Sequence, residues 1–314
     1  MTAPGLSFLA EPGAVADWRL VLLLDVAADT GVLGALPGRA DEVAGRLGLD
    51  PRATRIVLDA LAGWGVVAAG ADATYRWGPA APDEAAWPVV HHCARALRQW
   101  AGALEDRVRG VPPEPRGPMP RPDRWQAAMA VHAREAAPGV VDAVLAAAPG
   151  ARSAVDLGGG HGEYAVELAR RGVDVTLQDR PVMVDLARSE GRMEAAGVKL
   201  FAGDFFEALP AARFDVVLCS GVTHTMPGDR AAELLRRAAT VVAPGGLLAV
   251  HTFLRGRHRT GAVFAVQMLS TGGGGDTHGE EEYRAWLAAA GFADPDVVDL
   301  DGGRRNLLLA RAAD

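Results

Sequence analysis

The sequence predicts an α/β protein, a parallel sheet with helices on both faces, preceded by a helical module of the winged-helix kind. Two observations carry this. From Arg152 onward, short apolar runs rich in β-formers alternate with helical stretches, a pattern that builds a parallel sheet covered on both sides. Between Trp18 and about Ala80, three helical stretches are followed by a short hairpin. Of the 314 residues, 49% are hydrophobic, enough for one large or two modest cores.

Taken in order, WRLVLLLDVAADTGVLGAL, RADEVAGRLGLD and PRATRIVLDALAGWGVV are the three helices, and GADATYRW is the wing. EAAWPVVHHCARALRQWAGALEDRVRG is an amphipathic helix that stops at a glycine and the broken, proline-rich VPPEPRGPMPRP. Arg124 to Pro149 reads as one or two helices leading into the second domain. The sheet is then expected from SAVDLGG, VDVTLQD, KLFAGD, FDVVLCSG and GGLLAVHTF, with EYAVELARR, MVDLARSEGRMEAAG and RAAELLRRAATVVA as helices between most of them. After the helix EEEYRAWLAAAGF, the runs DVVDL and RNLLLARA are separated only by DGGRR, which predicts an antiparallel hairpin closing the sheet edge. The divisions expected are 1–110, a connecting 111–150, and 151–314.

The charge balance narrows the function classes. The net charge is -7, and residues 1–80 hold six Arg and no Lys against nine Asp and Glu. A surface that coats phosphates is basic, so a winged helix of this composition is expected to pack against itself or a partner and to bind no nucleic acid. Two cysteines, Cys93 and Cys219, make no disulfide framework and suit a reducing compartment. The N-terminal MTAPGLSFLAEPG lacks the basic and apolar regions of a secretion signal. No apolar segment reaches the ~20 residues of a bilayer span, so a cytoplasmic protein without membrane contact is expected.

The first strand runs into Asp156, Leu157, Gly158, Gly159, Gly160, His161 and Gly162, then directly into a helix. Glycines let a backbone turn tightly and approach a nucleotide-like ligand, and Gly158 and Gly160 are the candidate contacts. The second strand ends in Gln178 and Asp179, whose carboxylate suits two ribose hydroxyls. The third ends in Gly203, Asp204 and Phe205, an acceptor for an adenine amino group beside a ring for its face. Each has a plainer alternative: Asp179 as a helix cap, Phe205 as core.

The stretches VDLGGGHGEYAVELAR, LQDRP, GDFF, SGVTHTMPGD and APGGLLAVHTF, in that order and spacing, resemble class I S-adenosylmethionine methyltransferases. With the winged helix, the chain from about residue 15 is similar to the caffeate and acetylserotonin O-methyltransferase-like group of small-molecule enzymes. The resemblance implies a Rossmann-like seven-stranded sheet, a homodimer built through the N-terminal domain, and S-adenosylmethionine across the strand ends. It implies that Asp156, Gly158 and Gly160 lie beside the amino-acid portion of that cofactor, Asp179 at the ribose, Asp204 and Phe205 at the adenine, and Ser220 at the methionine moiety. An acidic residue leading the glycine turn also suits a sulfonium bearing an ammonium group better than a pyrophosphate.

Methyl transfer to a hydroxyl needs an aligned acceptor and a base, and histidine titrates close to working pH. The family's His-Asp-Trp triplet falls on His224, Thr225 and Met226, so the base is present and its neighbours differ. Where the family usually places an acid the chain has His251, and the substrate-loop region carries His278. Catalytic roles are expected for all three. Their convergence would also suit a divalent metal, as in metal-assisted C-methyltransferases of α-keto acids, although Thr225 stands where those relatives use aspartate. Against the family, Met129 and Trp125 match residues near the transferred methyl, and Phe264 and Met268, one helical turn apart, suit the acceptor side; core packing is the alternative for all four. His91 and His92 border the acceptor or pack, His161 faces solvent or cofactor, and His258 is expected to be exposed. Three readings result: O-methylation of a small secondary metabolite with His224 as base, metal-assisted C-methylation, and cofactor binding without methyl transfer on the same fold.

Overall fold

In a computed structural model, residues 17–113 and 121–312 are described. They fall into two compact units that divide between Ala101 and Gly102. The first holds α1 (Trp18–Asp29), β1 (Gly38–Arg39), α2 (Ala40–Leu47), α3 (Pro51–Gly63), β2 (Val67–Ala69), β3 (Thr74–Trp77) and most of α4 (Ala86–Val108). Local chemistry sets these boundaries. The Asp17 carboxylate accepts from the Arg19 amide at the start of α1, Gly48 ends α2 in the left-handed region, and Asp50 caps α3 with Pro51 at its first turn. Leu24, Ala27, Val43, Leu58, Leu61 and Val67 form the core. The wing has a strand that the sequence did not signal: β1 is two residues long, too short for a periodicity, and completes the antiparallel order β1-β3-β2.

The second unit opens with α5 (Pro122–Ala147), a single helix that continues through Pro138. A proline inside a helix costs about 3 kcal/mol. Here it sits on the exposed face, and burial of Ala133, Ala137, Val140, Val141 and Val144 on the other face favours a helix that continues through it. The sheet and its helices then follow as β4 (Ser153–Leu157), α6 (Glu163–Arg170), β5 (Asp174–Asp179), α7 (Pro181–Ser189), α8 (Arg192–Ala195), β6 (Lys199–Ala202), β7 (Phe214–Ser220), α9 (Gly228–Ala239), β8 (Val242–Thr252), α10 (Arg259–Thr271), α11 (Glu280–Ala289), β9 (Asp296–Leu300) and β10 (Arg305–Arg311).

The strand order is β6-β5-β4-β7-β8-β10-β9, with β10 antiparallel to both its neighbours and the first five strands parallel. This is the expected α/β sheet of seven strands, and the C-terminal hairpin closes it with β10 inside and β9 at the edge. Residues alternate between two cores, as the period of a strand requires. Ala154, Val216, Leu218, Leu247 and Ala249 meet α5 to α8 on one face, while Val155, Leu157, Val217, Leu248 and Val250 meet α9 and α11 on the other. The loops after β4, β5, β6, β7 and β8 therefore gather at one end of the sheet. Among the described residues no helix is long and apolar enough to cross a membrane.

Candidate active site

The turn after β4 is built by close approach. Gly158 has φ +68°, and a Cβ there would come within 2.7 Å of Val222 Cγ2, so the turn accepts only glycine without a shift. The Gly160 amide donates to Asp179 Oδ2 at 2.9 Å, and Asp179 Oδ1 accepts from the Arg180 amide at 2.7 Å. These bonds leave lone pairs on both oxygens. Gln178 ties neighbouring turns together: its side-chain oxygen accepts from the Gly158 amide at 3.3 Å, and its amide nitrogen donates to the Gly203 carbonyl. The Phe205 ring lies 3.7 Å from the position of a Gly158 Cβ, while Asp204 accepts from the Phe206 amide at 2.8 Å. Asp204 thus shapes its own turn.

Asp156 is the anomaly at this end of the sheet. It is buried, and neither carboxylate oxygen has a hydrogen-bond partner among the described residues. Burial, followed by the nearby Asp179 charge, pushes its pKa up to about 7. Burial likewise raises Asp179. Two carboxylates held in that state fit a cationic ligand group, which would supply the missing charge.

His224 lies in the turn after β7, His251 within the end of β8, and His278 just before α11. Ser220 ends β7 directly beside His251 of β8, and Ser220 Oγ is 2.9 Å from His251 Nδ1. The Tyr164 hydroxyl is 3.3 Å from the same nitrogen, whereas His251 Nε2 is buried without a partner. His224 occupies the short turn Thr223–Thr225 after β7, with Nδ1 3.4 Å from Thr252 Oγ1. That turn is pinned on both sides. Thr223 Oγ1 lies 2.6 Å from the Tyr283 hydroxyl of α11, and His278 Nε2 donates to the Met226 carbonyl at 3.3 Å. Burial lowers His224 and His251 to about 3, helped at His224 by the His278 and Arg305 charges and at His251 by Arg305 and His224. Both rings are therefore neutral at neutral pH.

An aromatic wall stands beside His224. The Phe264 ring meets the imidazole edge-on at 4.8 Å and stacks on Phe253 at 4.2 Å. Met268 is buried one turn along α10, and Trp125 and Met129 are half-buried on α5. Between them Gln126 donates from its amide to the Gly160 carbonyl at 2.7 Å, fastening that turn of α5 to the glycine loop.

The sequence model for the methyltransferase domain matches residues 129–296, more than half of the chain. The chain belongs to the methyltransferase-domain family. The mitomycin biosynthesis 6-O-methyltransferase of Streptomyces lavendulae is 35% identical over 148 residues, 46% of this chain and 42% of that protein. Over that match the chain spans less than half the length of its curated relative. The 3-hydroxy-5-methyl-1-naphthoate 3-O-methyltransferase of Streptomyces sahachiroi is 28% identical over 308 residues, 88% of this chain and 86% of that one. A solved mitomycin 7-O-methyltransferase has 26% identity and a TM-score of 0.73, with 93% of this chain and 94% of that chain covered. The family expected from the glycine turn and the later motifs is therefore the one found.

For this methyltransferase-family chain, one expectation is corrected. His224, His251 and His278 do not form a metal set. Among the described residues, the one group of three His, Cys, Asp or Glu ligand atoms lying within 4.8 Å of one another is Asp25, Asp29 and His91, in the first unit. The physical reason is that His278 Nε2 is turned onto the Met226 carbonyl and His251 Nδ1 onto Ser220, so the three imidazoles face their own partners. Of the outlying histidines, only His258, expected to be exposed, differs from expectation. His91 Nδ1 bonds Asp25 Oδ1 at 2.5 Å, His258 is half-buried and caps α10 by accepting from the Thr260 amide, and His161 accepts from the Glu163 amide.

Several residues at the site carried no sequence signal. Tyr164 lies two residues past the glycine turn, where a helix position is unremarkable, and Thr252 and Phe253 extend an apolar strand. Gln126 sits within a long helix. Arg305 begins the last strand, and only the three-dimensional fold carries it to the histidines. Two surface clefts of about 460 and 440 Å³ lie elsewhere, at the Leu209–Arg213 loop by the starts of the strands.

Proposed function

We propose that this chain is an S-adenosylmethionine-dependent O-methyltransferase acting on a small secondary-metabolite hydroxyl, with His224 as general base. The observation that carries this is a buried imidazole fixed in the turn after β7, at the same end of the sheet as the unpaired Asp156 carboxylate. Asp156, Gly158 and Gly160 suit the amino-acid portion of the cofactor, Asp179 its ribose, Asp204 and Phe205 its adenine, and Ser220 the methionine moiety. When bound, that cofactor supplies a methyl group on a positively charged sulfur. The acceptor oxygen gains the carbon as the carbon–sulfur bond breaks, and the hydroxyl proton goes to His224. With Nδ1 facing Thr252 Oγ1, the free basic atom is Nε2.

His251 and His278 take supporting parts in this reading. His251 holds Ser220 and Tyr164, and His278 steadies the carbonyl that follows the His224 turn. Phe264 lines the acceptor side, with Met268, Trp125 and Met129 placed to do the same. A metal-assisted C-methylation has no ligand set to support it here. The test is formation of S-adenosylhomocysteine with a panel of hydroxyarenes, followed by H224A. The expected loss for H224A is roughly 100- to 10,000-fold in kcat/KM with cofactor affinity retained. Cofactor binding with no turnover on any acceptor would instead favour a binding protein on this fold.

A further inference from the structure

Arg305 is the first residue of β10, directly after the hairpin Asp301–Gly303, and its side chain is only 21% exposed. A largely covered guanidinium presents five donors and is ordinarily held by carboxylates or carbonyls. Here the one carboxylate near it is Asp301, at 4.0 Å and itself half exposed, and among the described residues no acceptor lies within hydrogen-bond distance of the guanidinium.

Its surroundings give direction to that free fork. The guanidinium carbon lies 5.9 Å from the centre of the Phe253 ring, and Phe253 lies 5.7 Å from the His224 ring and stacks on Phe264. The stacked phenylalanines thus form an aromatic pair that touches the His224 imidazole through both rings and approaches the Arg305 guanidinium through Phe253. The positive charge also lowers the pKa of His132 on α5, His224 and His251, and tempers the rise at Tyr164 on α6. Groups from four separate elements thus feel the charge of this one guanidinium, which Asp301 opposes at Tyr164.

We propose that Arg305 anchors an anionic acceptor, a flat hydroxy acid whose carboxylate pairs with the guanidinium while its hydroxyl meets His224. This rests on the methyl-transfer reading above and adds the substrate class. A carboxylate matches the planar fork of arginine with two parallel hydrogen bonds, which a neutral phenol cannot offer. The Phe253–Phe264 pair suits the ring that joins the two groups. The naphthoate relative bears such an acid in its named acceptor.

Calorimetry on the full chain saturated with S-adenosylhomocysteine tests this without turnover. The probes are hydroxybenzoates and hydroxynaphthoates, each paired with its methyl ester. In the wild type at least one acid is expected to bind roughly tenfold or more tightly than its ester, and R305Q is expected to erase that difference while leaving the ester's affinity unchanged. Absence of an acid preference in the wild type, from equal binding or from none, overturns the proposal, as does a preference that survives R305Q. The cofactor also carries a carboxylate. A tenfold weakening of S-adenosylhomocysteine itself in R305Q would assign the guanidinium to the cofactor and overturn the acceptor claim. Methyl transfer is read separately, so active enzyme with no acid preference defeats this inference and leaves the proposed function standing.

Discussion

At the scale of single residues, Asp156 makes the sharpest statement about a ligand. A buried carboxyl that titrates at about 7 is only half ionised at neutral pH, and a cationic ligand group must draw it into the charged form. Binding of S-adenosylmethionine is therefore linked to loss of a proton. Below about pH 7 the wild-type affinity is expected to fall, approaching tenfold per pH unit, and to level off above it. D156N has no such proton to lose. It is expected to bind the cofactor roughly 10- to 100-fold more weakly at neutral pH, with that pH dependence gone. Calorimetry across the range, in two buffers of different ionisation enthalpy, reads both affinity and proton release; a wild-type affinity flat through pH 6 and 7 would sink the assignment. The turn around Asp156 was legible in the sequence because glycines at fixed offsets announce a backbone constraint. The lack of a partner for the carboxylate was not, since it depends on what the neighbouring strands bring.

At the scale of elements, legibility followed the range of the forces involved. Strands buried on both faces read as apolar runs, and β4, β7 and β8 stood out for that reason. The two-residue β1 exists only by pairing with β3, and the unbroken course of α5 through Pro138 is a result of tertiary burial, so neither had a local signature. Arg305 reaches the histidines through the register of β10 against β8, where Asn306 pairs with Thr252, and a pairing between distant segments leaves no local trace. In the N-terminal unit, α1 buries Val21, Leu24 and Ala27 yet leaves Trp18 at 57% and Val26 at 42% exposure, and Ile56 of α3 and Trp77 of β3 are similarly uncovered. Large apolar side chains left in water are a common feature of association surfaces. We propose that they pair two copies of the chain. Light scattering is expected to give twice the 32.7 kDa of one chain, with W18E/V26E shifting it towards the single-chain mass; a wild-type mass of one chain refutes the dimer.

At the scale of the whole molecule, the C-terminal unit stakes part of its stability on keeping imidazoles uncharged. Burial lowers His224 and His251 to about 3 and His161 to about 4 from an ordinary 6.5, and lowers His132 as well. Between those values and 6.5 the unfolded chain binds more protons than the folded one. The contribution is therefore complete above pH 6.5 and is lost as pH falls, at about 1.4 kcal/mol per pH unit for each histidine in the middle of its window. Asp156 works in the opposite sense. Its pKa is raised from 3.8 to about 7, so it stabilises the fold fully below 3.8 and that contribution is lost as pH rises through about 7. Four histidines outweigh one aspartate, and even with Asp179 raised in the same sense as Asp156 the net effect of acidification below pH 6.5 is destabilising. Urea unfolding at about pH 5 and about pH 7 is expected to show a lower midpoint at the acid end. The variants should part in opposite directions: H251N shallows the dependence by removing one imidazole that must stay neutral, and D156N steepens it by removing the opposing carboxyl. A midpoint that stays constant between the two pH values in the wild type and in D156N would show that these imidazoles are not held neutral by the fold.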